Sequence, residues 1–94
     1  MEKLDWTSLG FKPRHTATVI FSRFKDGEWS QPQSTGDFSF TLDPYAGVFH
    51  YATSCFEGLK AFRGVDGKVR IFRPDQNAAR LADAATFLGM PAPP

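Results

Sequence analysis

Hydrophobic runs alternate with turn-forming residues through most of the chain, which is the pattern of a hairpin-rich β region. Residues 14–24 are rich in β-branched and aromatic types, with apolar side chains at both parities. They predict a strand covered on both faces. Asp26 and Gly27 predict a type I′ turn, and Glu28 and Trp29 begin the return strand of the resulting hairpin.

The segment after this hairpin carries a weaker form of the same alternation. The polar composition of residues 30–36 predicts a loop. Residues 38–42 alternate as a strand does, and Asp43 and Pro44 are predicted to end it. Residues 46–51 are predicted to form another short extended segment.

A helical turn and a further hairpin are predicted next. Ser54 and Glu57 have the spacing of a capping box, which predicts one helical turn that Gly58 ends with a positive φ. Residues 60–63 and 69–72 flank a Gly-Val-Asp-Gly sequence, and this arrangement predicts a hairpin or an equivalent tight connection.

One amphipathic helix is predicted over about residues 74–88. Pro74 and Asp75 suit its first turn, while Gly89 and Pro91 suit its end. Its apolar stripe consists of Ala78, Leu81, Ala82, Ala85 and Leu88. The predicted fold class is therefore α+β, with antiparallel strands and hairpins over about residues 14–72 followed by this helix.

The composition sets the scale and the class of the protein. The 94 residues suffice for one small domain, and 41% of them are hydrophobic, including ten phenylalanines. The net charge is +1, with both signs mixed along the chain, so no concentrated positive face for nucleic acid or a membrane surface is expected.

Cys55 is the only cysteine, which excludes an internal disulfide and a cysteine-based zinc site and favours a reducing compartment. The sequence shows neither a secretory signal nor a run of ~20 apolar residues. We therefore expect a cytoplasmic protein that holds no metal.

Three elements in the second half of the chain carry the functional information. Residues 50–64 contain HY followed by S-x-FEGLKAFRG, residues 67–74 read GKVRIFRP, and residues 77–81 have the form N-x-x-R-L. In this order and spacing they resemble the branched-chain amino acid aminotransferases, pyridoxal-phosphate enzymes of fold type IV. A weaker resemblance continues upstream through residues 15–24 and 26–29.

The resemblance implies a protein larger than this chain. Family members have a small N-terminal domain and a larger C-terminal domain, with pyridoxal 5′-phosphate between them, and they form homodimers. Residues 1–94 resemble part of the small domain, so the cofactor lysine is expected to lie outside them. The implied activity is amino transfer between leucine, isoleucine or valine and 2-oxoglutarate. This chain alone is expected to be inactive.

Arg80 matches the family arginine that binds the cofactor phosphate. A guanidinium suits that role because its planar fork pairs with two phosphate oxygens and stays charged. From the helical spacing alone, the alternative is a surface arginine paired with Asp83.

Two aromatic residues match the family's substrate pocket. Tyr51 corresponds to a tyrosine that lines the pocket of the neighbouring subunit, and Phe56 to a phenylalanine that lines the pocket of its own subunit. Rigid aromatic rings suit a branched apolar substrate. The alternative for both is ordinary core packing.

No catalytic residue is assigned within the chain. Lys60 is expected to be a solvated amine, because it lies between Leu59 and Ala61 in a hairpin with other charges near. An imine-forming lysine must instead be desolvated or crowded by positive charge. His50 is expected to be packed and hydrogen-bonded, and Cys55 to be a small buried residue. Glu57 and Gly58 are expected to have structural roles, with Glu57 closing its turn on Ser54.

Two alternatives remain open. In the first, the chain is a stand-alone, non-catalytic module, which could associate with a full-length subunit through the surface that carries Tyr51. In the second, it is part of another fold-type-IV enzyme, either a D-amino acid aminotransferase or a lyase.

Overall fold

A computed structural model describes residues 5–94. The chain divides into two compact units, one that reaches to Thr41 and one that spans Leu42–Pro94. In the described residues, three two-stranded antiparallel sheets are followed by a helix of 14 residues. The α+β class predicted from the sequence is thereby confirmed.

The first unit contains two nested strand pairs. After a 3-10 helix at Trp6–Ser8, β1 (Val19–Phe21) pairs with β4 (Gln33–Thr35), and β2 (Phe24–Lys25) pairs with β3 (Glu28–Trp29). The inner pair closes through Asp26 and Gly27.

The turn of the inner pair has the predicted type. Asp26 and Gly27 have φ of 52° and 83°, and two positive values in succession define a type I′ turn. Phe24 and Trp29 face each other across the pair, with ring centroids 5.4 Å apart. The hairpin prediction is confirmed. A type I′ turn suits this position because its backbone twists in the same sense as the strands it joins.

The predicted strand over residues 14–24 is shorter and less covered than expected. It is interrupted between β1 and β2, where Ser22 Oγ donates to the carbonyl of Ser30 at 2.6 Å. Ile20 in β1 is 70% exposed, so covering on both faces is wrong. The interruption arises because serine side chains replace part of the backbone ladder at this point.

Two predictions for the following segment are wrong. Residues 30–36, expected to be a loop, contribute strand β4, because the inner hairpin brings them back beside β1. Residues 38–42, expected to be a strand, have no regular structure. Here Asp37 Oδ1 accepts from the backbone N–H and the hydroxyl of Ser39, at 2.9 and 2.7 Å, and these local bonds compete with strand pairing.

The second unit begins with a short helix and a hairpin. Helix α1 is Gly47–His50, and strands β5 (Ala61–Arg63) and β6 (Val69–Ile71) pair with Ala61 opposite Ile71. The predicted hairpin is confirmed, and Gly67 in its turn has φ of 79°.

The extended segment predicted over residues 46–51 is wrong, since α1 occupies most of it. Asp43 initiates this helical region: its Oδ1 accepts from Tyr45 N at 2.7 Å, and its carbonyl accepts from Ala46 N at 2.9 Å. An aspartate followed by proline thus starts a turn at this point.

The helical turn predicted at Ser54–Gly58 is also wrong. These residues form an irregular segment, and Gly58 does not have a positive φ. The Glu57 side chain bonds to residues of the C-terminal helix and not to Ser54. A capping box needs a glutamate that is free to fold back, and Glu57 is engaged elsewhere.

Helix α2 is Pro74–Phe87, which confirms the predicted helix. It ends in a Schellman motif: Met90 N donates to Ala85 O at 2.8 Å, Gly89 N donates to Thr86 O at 3.0 Å, and Gly89 has φ of 73°. The preceding Arg73 is left-handed, with φ of 46°, at the N-cap position.

Apolar burial is sparse in the part of the chain that the structure describes. Ala85 is its only buried residue, at 3% exposure, and β5 and β6 are exposed at every position. The least exposed face of α2 runs through Asn77, Leu81 and Ala85, so it includes a polar residue that the predicted apolar stripe omitted. None of the described helices is long and apolar enough to cross a membrane.

Candidate functional site

A polar cluster joins the irregular segment before β5 to helix α2. Glu57 accepts from Arg80 through both carboxylate oxygens, with Nε 3.1 Å from Oε2 and Nη2 bonded to Oε1. Asn77 Nδ2 donates to Glu57 Oε1 at 2.9 Å and to the carbonyl of Gly58 at 2.8 Å. We call these four residues the Glu57 cluster.

The helix places the two donors side by side. Asn77 and Arg80 are three residues apart in α2, so their side chains lie on the same face. Both reach residues 19 to 23 positions earlier in the chain. Asp83, the alternative partner of Arg80 predicted from the sequence, forms no ion pair with it in the described residues.

The two charged groups differ in exposure. The side chain of Glu57 is 19% exposed, and that of Arg80 is 64% exposed. The hydrogen bond from Arg80 is the main cause that lowers the pKa of Glu57, and the same bond raises the pKa of Arg80. At neutral pH the cluster therefore contains an ionised pair whose cationic member faces water.

Arg80 keeps donors for a further acceptor. A guanidinium has five N–H groups, and Glu57 engages Nε and one N–H of Nη2. Three N–H groups, two on Nη1 and one on Nη2, remain at the exposed end. This edge can donate to two oxygens of a phosphate in a second bidentate contact, so the donor set fits a phosphate group.

An open cleft adjoins the cluster. Its volume is about 450 Å³, within the range of small-molecule sites. It is lined by Gly58, Leu59, Lys60, Phe62, Phe72 and Asn77. Gly58 and Asn77 belong to both the cleft and the cluster, so the ionised pair lies beside a partly apolar cavity.

The other residues singled out from the sequence lie elsewhere. Tyr51 is 85% exposed and Phe56 91% exposed, and neither lines the cleft. Ordinary core packing does not account for rings this exposed. The cleft therefore adjoins the Glu57 cluster through Gly58 and Asn77, whereas both aromatic rings are exposed and lie outside its lining.

The smaller expectations have mixed outcomes. His50 is hydrogen-bonded, as expected, since Nε2 donates to the carbonyl of Pro44 at 2.7 Å, but it is exposed and so is not packed as predicted. Cys55 is half-buried and unpaired. Lys60 is exposed and lines the cleft, and its lack of an imine role stays a prediction.

Sequence reasoning overlooked Asn77 and assigned Glu57 to the wrong partner. The spacing of Asn77 and Arg80 put both on one helical face, which was a usable signal. The identity of their partner was not readable from spacing, because Glu57 belongs to an irregular segment 20 or more residues away.

Comparison with known proteins extends this picture. No family model matches the chain. A branched-chain-amino-acid aminotransferase of Haemophilus influenzae is 39% identical over 94 residues, which is all of this chain and 27% of that protein. One of Helicobacter pylori is 41% identical over 97% of this chain and 27% of its own length. The chain matches the N-terminal part of these aminotransferases.

The similarity extends beyond bacteria. A mouse protein named as the cytosolic branched-chain-amino-acid aminotransferase is 40% identical over 96% of this chain and 24% of its own length. The chain spans about a quarter of the length of the curated relatives it matches. The family resemblance inferred from the three sequence elements is thereby confirmed.

Proposed function

We propose that this chain supplies the phosphate anchor and part of the substrate pocket of a pyridoxal-phosphate-dependent aminotransferase. The substrates are branched-chain amino acids and 2-oxo acids such as 2-oxoglutarate. The observation that carries the proposal is the guanidinium of Arg80, which has three N–H groups not bonded to Glu57 and belongs to the cluster beside a cleft of about 450 Å³. The names of the relatives support the reaction class.

Arg80 would hold the cofactor phosphate through its exposed edge. The rigid helix and the Glu57 bond fix the guanidinium, and charge-assisted bonds to phosphate are stronger than neutral ones. When bound, pyridoxal 5′-phosphate supplies an electron sink for the amino-transfer chemistry. We assign no catalytic residue to this chain, and Lys60 is not proposed to form an imine.

Tyr51 and Phe56 would contribute apolar walls to the substrate pocket. Exposed rings of this size, on a unit that buries little apolar area, are typical of surfaces that another domain or subunit covers. We propose that Phe56 acts in its own subunit and Tyr51 across a homodimer interface. In this proposal residues 1–94 form part of a small N-terminal domain of a cytoplasmic enzyme.

The proposal is tested by exchanging segments between relatives. The matched quarter of the Haemophilus influenzae aminotransferase is replaced by this chain, and amino transfer from leucine to 2-oxoglutarate is measured. We expect an active chimera. In it, Arg80→Ala should lower retention of the cofactor at least tenfold, because two charge-assisted hydrogen bonds are lost.

The matched control is Asp83→Ala, which removes a charged side chain one turn further along the same helix. It should leave cofactor retention within about twofold of the unmodified chimera, as is usual for exposed charges. If Arg80→Ala also retains the cofactor, Arg80 is not the phosphate anchor.

A non-catalytic association module is the second candidate, and the exposed apolar side chains of the second unit favour it. Sedimentation of the pure chain separates the two. A soluble monomer supports an autonomous module, whereas self-association supports a part of a larger enzyme whose covering surface is missing.

A further inference from the structure

We propose that Glu57 is a positioning residue that aims Arg80 at the cofactor phosphate. Its carboxylate occupies the Nε–Nη2 side of the guanidinium, so the Nη1 end is the edge offered to an anion. The inference rests on the proposed role of Arg80. It gives Glu57 a role in phosphate binding, whereas the sequence predicted only that Glu57 closes a local turn.

The carboxylate is itself held in place. Oε1 accepts from both Asn77 and Arg80, and Oε2 accepts from Arg80, so three hydrogen bonds from one helix fix its orientation. Asn77 also ties the neighbouring carbonyl of Gly58 to the helix at 2.8 Å. The irregular segment that contains Glu57 and Gly58 is thereby held against α2 next to Arg80.

The burial pattern agrees with this division of roles. Glu57 is 19% exposed and Arg80 is 64% exposed, so the carboxylate lies behind the guanidinium relative to solvent. A purely structural ion pair does not require one partner to stay open. Here the cation keeps three N–H groups for another acceptor.

Two effects of Glu57 on phosphate binding oppose each other. Fixing the side chain of an exposed arginine in one rotamer costs a factor of about 30 in binding affinity, and the bond to Glu57 fixes it before phosphate binds. Its negative charge repels the phosphate by a factor of about three at physiological salt, because exposed charges are screened. The gain from positioning Arg80 therefore exceeds the loss from charge repulsion, and Glu57 raises the affinity for phosphate about tenfold.

The experiment uses the full 94-residue chain and two probes. Pyridoxine 5′-phosphate and pyridoxine share the ring of the cofactor and differ in the phosphate, and both lack the aldehyde that would react with lysines. The ratio of their dissociation constants, measured by calorimetry, isolates the contribution of the phosphate. Glu57→Gln keeps the shape of the side chain and an acceptor for Asn77 while removing the charge.

We expect the unmodified chain to bind the phosphorylated probe more tightly. Arg80→Ala should abolish this preference, and Glu57→Gln should lower it about tenfold. Asp83→Asn makes the same change in net charge on the exposed side of α2, without touching the cluster, and should leave the preference within about twofold.

Each result has a distinct meaning. If the unmodified chain shows no phosphate preference, the proposed role of Arg80 in this chain fails and the inference fails with it. If Arg80→Ala abolishes the preference but Glu57→Gln leaves it unchanged or raises it, Arg80 is the anchor and the positioning role of Glu57 is overturned.

A second measurement does not depend on the variant folding. In the unmodified chain, a nuclear Overhauser contact between Arg80 Nε–H and the Glu57 methylene protons should persist at saturating inorganic phosphate. Persistence means that the anion takes the opposite edge of the guanidinium. Loss of the contact means that phosphate displaces Glu57, which overturns the inference.

Discussion

Replacing Gly89 with alanine should loosen helix α2 by an amount that the local geometry sets. Gly89 has φ of 73°, and a Cβ at this position would meet no atom within 4 Å. The cost is therefore purely conformational, about 1–2 kcal/mol for an L-residue in the left-handed region. Alanine also restricts the unfolded chain, which offsets about 0.4–1 kcal/mol.

The expected net loss is about 1 kcal/mol, which corresponds to about fivefold faster amide hydrogen exchange across α2. Exchange measured by NMR suits this chain because it reports local opening without requiring a cooperative global transition. Gly89→Asn should fall between the two, since asparagine tolerates the left-handed region better.

Gly10→Ala is the matched control. Gly10 does not have a positive φ, and its added Cβ also meets nothing within 4 Å. It should leave exchange in α2 unchanged. Equal rates in Gly89→Ala and the unmodified chain, or equal changes in both variants, would refute the argument that the Schellman motif holds the end of the helix.

Three further outcomes are expected. Because the Arg80 hydrogen bond lowers the pKa of Glu57, the contact should be fully present above the ordinary glutamate pKa and should be lost as pH falls through the lowered value. The Arg80 Nε–H resonance followed from about pH 7 to about pH 2 checks this, and a transition at or above the ordinary value contradicts it. Gly27→Ala should destabilise the first hairpin by about 1 kcal/mol, since φ is 83°, and should weaken the NMR contacts between Phe24 and Trp29. The isolated chain should show no amino transfer from leucine to 2-oxoglutarate, and substantial turnover would count against our assignment of no catalytic residue.

Local sequence signals predicted the elements that local physics determines. The Asp26-Gly27 turn needs only two residues that accept positive φ, and both have it. Helix α2 combines a proline in its first turn with a terminal glycine, so its limits follow from nearby residues. The hairpin of β5 and β6 was equally local.

The errors fall where a distant partner or a competing side chain decides. Strand β4 exists because the inner hairpin returns residues 33–35 to β1, and its polar composition gave no sign of this. The Glu57 side chain could have closed a local turn, but Arg80 and Asn77 together donate three hydrogen bonds to its carboxylate. Spacing within a segment cannot rank such alternatives.

The candidate site was predictable in part. The motif placed Arg80 correctly on a helix, and the same helix carries Asn77, which lines the adjoining cleft. The pocket roles of Tyr51 and Phe56 remain proposals, because both rings are exposed in the structure. The donors of a guanidinium can be counted on the residue itself, whereas the role of an aromatic ring in a pocket depends on the groups that surround it.

The long span of the Glu57 contacts has a consequence for the order of folding. The hairpins and α2 close over a few residues each, on timescales of about microseconds. The bonds from Asn77 and Arg80 to Glu57 close loops of 20 and 23 residues, and the two donors share one face only once α2 has formed. We expect the edge of Arg80 that is proposed to bind an anion to be among the last features of the second unit to assemble. A phosphate ligand would therefore bind only molecules whose second unit has finished folding.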